Sequence, residues 1–154
     1  MVKILWRNIN AIVPVYKWLV LLRNEKALSI PKQTVFGYID RMALYLKLKE
    51  CIEREELFLN KELSLSFLSK KLHTNSNYLS KAVNTIGNKS FIDFINYYRI
   101  EYSKTMLSDD HYSKYTIQTI SEKSGFHSTS AFYNAFRKHT TVSPGVYAKM
   151  HKNS

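Results

Sequence analysis

Residues 117–149 read IQTISEKSGFHSTSAFYNAFRKHTTVSPGVYAK, and this stretch decides the fold. Ile117 and Ile120 recur at helical spacing, the run breaks at Gly125, and Phe132 and Phe136 resume the spacing one turn apart. Leaving a helix at Gly125 calls for a left-handed backbone that costs glycine little, and Ser128 is placed to cap the helix that follows. The pattern predicts a helix, a tight turn and a second helix.

A second copy lies about fifty residues upstream. LSLSFLSKKLHTNSNYLSKAV puts Leu65, Leu68 and Leu72 on one helical face, and Leu79 and Val83 one turn apart on the next. Thr74-Asn75-Ser76, a cluster of N-cap residues, separates the two runs, and Ser69 and Ser121 hold the same place in each copy. A short helix braced against a second with a polar outer face is the helix-turn-helix arrangement, whose second helix enters the major groove of DNA. Two copies in register strengthen that reading.

Between the copies, Phe91, Ile95, Tyr98, Tyr102 and Met106 follow helical spacing, with Ser90 as cap and Asp93 as its acidic capping-box partner. Residues 90–107 therefore read as one connecting helix about 27 Å long, close to the roughly 34 Å between successive major grooves on one face of DNA. Arg99, on this helix, reads as a salt-bridging brace between subdomains rather than a DNA contact. Upstream, Gly37–Phe58 place Ile39, Met42, Leu46 and Ile52 at near-helical spacing, an amphipathic leading helix.

The Ile-x-x-Ile pair, Gly125-Phe126 with Ser128, Phe132-x-x-x-Phe136-Arg137-Lys138 and Ser143-Pro144 with Tyr147 together resemble the signature of the AraC/XylS family of bacterial transcription regulators. Tyr98-Arg99-Ile100 and the spacing to Leu107 agree with it. The resemblance covers about residues 60–150 and departs at Thr141, where the family usually has glycine, at Ser103 and Ser121, where alanine is common, and at Lys149, where arginine is common. Gly87 comes one position early and Asn88 holds the usual site, which asparagine tolerates.

The resemblance implies an all-α fold of two helix-turn-helix subdomains joined by a long helix. It divides the chain into a front segment 1–36, a leading helix 37–59 and a DNA-binding domain 60–154. Within that domain the first helix-turn-helix spans 64–87, the second 116–139 and a closing helix 144–150. Double-stranded DNA and RNA polymerase are the implied partners, and an upstream sensing or dimerisation part is usual. No cofactor is expected.

Base reading is implied at Asn77, Ser80 and Lys81 in the first copy and at the corresponding Thr129, Ser130, Tyr133 and Asn134 in the second. Asparagine can pair with adenine N6 and N7, and lysine can donate to guanine O6 and N7. Lacking a large cation at these positions, the second copy is expected to discriminate modestly or through water. Phosphate contacts are expected from Ser76, Tyr78, Asn84, Ser90, Ser128, Arg137, Lys138 and Ser143, through side chains or the N–H groups of the helices they cap.

Charge points the same way. Across 154 residues, 23 Lys and Arg against 12 Asp and Glu give a net charge of +11 and favour a polyanionic partner. Eleven basic residues face seven acidic ones up to Leu63, and twelve face five beyond it. Basic charge beside the apolar run Ile9–Leu22 also admits an alternative, a helical protein-interaction or membrane-surface module without sequence-specific DNA binding. That run is too short, and too interrupted by Pro14 and Lys17, to span a bilayer unaided. The histidines lack metal-ligand spacing, Cys51 has no second thiol, and there is no phosphate loop or nucleophile elbow, so neither a metal site nor an enzyme is expected. A lone cysteine is in keeping with a reducing, cytoplasmic setting, and the implied DNA partner with nucleoid association.

Overall fold

The computed structural model describes residues 32–151, with side chains from residue 37, and these residues form seven α-helices and two 3₁₀ turns without a strand. The front segment, apart from its last few residues, lies outside the described residues. The compact unit described begins at Tyr38. Among the described residues no helix is long and apolar enough to cross a membrane.

Helix α1, Lys32–Arg54, starts earlier and stops sooner than the expected 37–59. It stops because Glu56 adopts a left-handed backbone (φ 49°), which turns the chain into the 3₁₀ turn Leu57–Leu59. Its buried face also differs from expectation. Met42, Leu44, Leu48, Cys51 and Ile52 point inward, while Ile39 and Leu46 remain 46% and 49% exposed.

Helices α2 (Leu65–Lys71) and α3 (Ser76–Gly87) form the first helix-turn-helix, and α5 (Ile117–Lys123) and α6 (Thr129–Thr140) the second. Between them runs α4 (Phe91–Ser108), followed by a 3₁₀ turn at Asp110–Tyr112; α7 (Pro144–His151) closes the chain. Each helix of the two units begins at a polar cap whose side chain accepts a backbone N–H: Ser64 from Phe67, Asn75 from Tyr78, Thr116 from Thr119 and Ser128 from Ala131. Each such cap stabilises its helix by about 1 kcal/mol.

Two cores result, and α4 is a wall of both. Leu44, Leu48, Ile52, Phe58, Leu68, Leu79, Ala82 and Val83 pack with Phe94 and Ile95 from the first half of α4. Ile120, Phe126, Phe132, Ala135 and Phe136 pack with Ile100, Met106 and Leu107 from its second half. Tyr102 touches both cores. Burying these aliphatic and aromatic side chains on either side of one helix is what holds two small units in a single body.

The copies are not identical in their turns. Leu72–Asn75 joins α2 to α3 in four residues, whereas Ser124–Ser128 joins α5 to α6 in five. The repeat is therefore in register along the first helices and slips by one residue across the turn.

Candidate nucleic-acid interface

Helix α3 buries Leu79, Ala82 and Val83, which leaves Asn77, Lys81, Asn84 and Thr85 as an exposed stripe at helical spacing. Helix α6 buries Phe132, Ala135 and Phe136 and exposes Ser130, Asn134, Arg137 and Lys138. These four occupy the same second, sixth, ninth and tenth positions of their helix as the four of α3. Neither helix carries a carboxylate. Among the described residues, Lys81 and Arg137 enter no ion pair.

The remaining residues expected at DNA lie less openly. Ser80, Thr129 and Tyr133 are half-buried, and Tyr133 packs against the second core with its ring 6.2 Å from that of Phe132. Tyr78 packs against the first core. The Ser76 hydroxyl turns back toward the Ser69 hydroxyl at 3.0 Å, bracing α3 on α2. Ser90, Ser128 and Ser143 cap α4, α6 and α7 by accepting from Asp93, Ala131 and Val146. The Ser90 hydroxyl also donates to the Asp93 carboxylate at 2.9 Å, so the acidic partner binds the capping side chain.

Two residues outside the expected set complete the surface. Thr85 stands beside Asn84 on the exposed stripe. Lys89 lies exposed between α3 and α4, its Nζ 4.4 Å above the Tyr97 ring. Its signal in the sequence was its place between two terminus residues, Asn88 and Ser90; a cation there sits where α3 ends and α4 begins.

Lys138 is engaged inside the protein. Its ammonium pairs with Asp93 at the start of α4, and this pairing, with the Ser90 hydrogen bond, holds the Asp93 carboxyl below its ordinary range. Beside it, His139 faces Lys89, Asp93, Lys138 and Glu101, with the Tyr97 ring 6.3 Å away. Burial, reinforced by Lys89, holds the imidazole below its ordinary value and keeps it neutral near pH 7.

Arg99 is a brace, but not by a salt bridge. It is 9% exposed, and its Nε donates to the Phe58 carbonyl at 2.7 Å and its Nη2 to the Asn60 carbonyl at 3.0 Å. The guanidinium lies 5.5 Å from the Phe126 ring. A planar fork suits two carbonyls of one turn as well as it suits a carboxylate.

Known proteins resemble this chain in sequence and fold. The helix-turn-helix domain family matches residues 68–150. An uncharacterised HTH-type transcriptional regulator, YtdP of Bacillus subtilis (strain 168), is 27% identical over 92 residues, which are 60% of this chain and 12% of that protein. A protein of unknown function from Listeria innocua superposes with a TM-score of 0.61 at 31% identity, over 70% of this chain and 96% of that one. The C-terminal domain of AraT, a response regulator from Geobacillus stearothermophilus, superposes with a TM-score of 0.60 at 25% identity, over 70% of this chain and 84% of that one.

Proposed function

The chain belongs to the AraC-type helix-turn-helix family, whose members are DNA-binding transcription regulators and not enzymes, and on that premise we propose that it reads double-stranded DNA by sequence. In this reading α3 and α6 enter adjacent segments of the major groove. The observation that carries it is the pair of matched, carboxylate-free stripes on α3 and α6, presented by two units built on one helix.

The stripes divide the work between bases and backbone. Asn77, Lys81 and Asn134 are the base readers with the longest reach, helped by Ser80, Thr129, Ser130 and Tyr133 at the groove edge. Arg137 and Lys89 hold phosphates, joined by the helix starts at Ser90, Ser128 and Ser143 and by Ser76, Tyr78 and Asn84. Lys138 reaches phosphate only by sharing its charge with Asp93. RNA polymerase, and a sensing or dimerising part, are the protein partners this reading implies.

Selection from a random duplex library at about 150 mM salt tests it, followed by binding of the enriched and scrambled duplexes across salt concentrations. Two short enriched motifs about ten base pairs apart are expected. Equal, steeply salt-dependent binding of both duplexes would leave only a polyanion binder. Binding that depends on anionic vesicles instead would favour the membrane-surface alternative.

A further inference from the structure

We propose that Arg99 and the junction around it fix the spacing between the two DNA segments this chain accepts, an inference that rests on the DNA-reading function above. Two helix-turn-helix units joined by one helix alone could swing or twist about it. Here the turn of the second unit is docked onto the chain that leads into the first. Gly125 (φ 85°) comes so close that a Cβ there would lie 2.6 Å from the Phe58 carbonyl oxygen and 2.9 Å from that of Leu59. Arg99 gathers the Phe58 and Asn60 carbonyls from the other side and brings its guanidinium to Phe126, the residue after Gly125.

The contact thus joins the leading chain of the first unit, the middle of α4 and the turn before the second recognition helix. A second seam lies along α4, where Lys138 near the end of α6 pairs with Asp93, next to Phe94 of the first core. The buried junction at Arg99 sets the register of the two units, and the more exposed Lys138–Asp93 pair adds a weaker tie along α4. One inserted base pair moves a site by about 3.4 Å and turns it by about a tenth of a helical turn. A locked pair of units cannot follow that change without giving up contacts at one site.

Arg99 is accordingly a positioning residue, and spacing selectivity is the readout a purely structural role would not move. The test uses the full chain and duplexes carrying either selected motif alone, or both with the natural spacing altered by one base pair. The wild-type chain is expected to bind altered spacings at least about tenfold more weakly than the natural one, the size of a lost base contact. Arg99→Lys keeps the charge but not the planar fork. In this variant the spacing penalty should fall below about threefold, while each single motif binds within about twofold of wild type.

Wild-type indifference to one base pair, or an Arg99→Lys protein that keeps the tenfold penalty, overturns the inference. Wild-type failure to tell single motifs from scrambled duplex would instead overturn the DNA reading and this inference with it. If Arg99→Lys does not fold, Phe126→Leu, which removes the ring beside the guanidinium, takes its place with the same expected loss of the spacing penalty, and an unchanged penalty overturns the inference.

Discussion

The two helix-turn-helix units have helices of the same length, each begun by a polar cap, yet they solve the turn differently. In the first, His73 holds the left-handed position after α2 (φ 53°), exposed to solvent, and the Ser69–Ser76 hydroxyl pair ties the helices together. In the second, Gly125 holds that position under the Phe58 and Leu59 carbonyls, and the Ser121 hydroxyl is buried with no partner among the described residues. A turn that faces water tolerates a side chain with positive φ at a modest cost. A turn used as a docking surface has no room for a Cβ.

The largest predicted effect tests that difference. Gly125→Ala should destabilise the chain by about 2–4 kcal/mol, combining left-handed strain with a backbone clash. His73→Gly should change stability by less than about 1 kcal/mol, because relief of strain is offset by a more flexible unfolded chain. Urea denaturation of both variants measures this; comparable losses would mean the second turn is not a docking point.

Much of this was legible from one sequence because helical periodicity reports local burial. The pairs Ile117/Ile120 and Phe132/Phe136, and their counterparts Leu65/Leu68 and Leu79/Val83, announce the helices. Ser90, Ser128 and Asn75 announce their starts. Long-range placement was not legible. Asp93 and Lys138 are 45 positions apart, and nothing local marks them as partners. Arg99 shows in the sequence as a charge on a packed helix, but its acceptors are carbonyls of a turn about forty residues away, and carbonyls have no sequence signature. The leading helix carries apolar residues on more than one side, so spacing alone could not choose between Leu46 and Leu48 as the inward residue.

The exposed stripes sharpen the comparison at the level of function. At the sixth helical position α3 has Lys81 and α6 has Asn134; at the ninth α3 has Asn84 and α6 has Arg137. The cation thus moves from the middle of the helix to its last turn, which on the proposed reading is from a base-reading to a backbone-holding position. Lys81→Ala should alter base preference at one motif by about 1–3 kcal/mol. Arg137→Ala should weaken all duplexes alike and reduce the salt slope by about one unit, and Lys138→Ala by less, since Asp93 already offsets its charge. Salt titrations against the selected and scrambled duplexes separate these outcomes, and identical behaviour of Lys81→Ala and Arg137→Ala would erase the distinction.

The recognition helices also end differently. Both terminate at a left-handed residue, Asn88 (φ 50°) after α3 and Thr141 (φ 66°) after α6. Asparagine visits this region readily, but a β-branched threonine does not. Thr141→Gly should therefore stabilise the chain by about 1 kcal/mol, and Asn88→Gly should do less, as thermal melts would record. Gly87, one residue before Asn88, serves packing instead: the Tyr45 ring of α1 would lie 2.9 Å from a Cβ there.

The smallest predicted effect concerns pH and the seam between α4 and α6. The His139 imidazole is held below its ordinary value, so on acidification the unfolded chain takes up this proton first. Stability should begin to fall as the pH drops through about 6.5 and stop falling, on this account, once the folded imidazole also protonates. The Asp93 carboxyl is held low by Lys138 and Ser90, so its contribution is intact above the ordinary carboxylate range and is lost as pH falls through its depressed pKa. Both groups favour the folded state at neutral pH, in separate windows. His139→Gln should flatten the upper window and largely leave the lower. Asp93→Asn should shrink the lower and, by removing a charge that favours the protonated imidazole, widen the upper. Each change should be no more than about 1 kcal/mol for groups this near the surface. The first unit has its own ion pair, Lys71 with Glu55 at 2.8 Å, which likewise holds a carboxyl low. No residue of its exposed stripe enters that pair, so substitutions confined to the stripe should leave both windows unchanged. A shift in the upper window on Asn77→Ala would show that this part of the acid sensitivity does not reside where α6 meets α4.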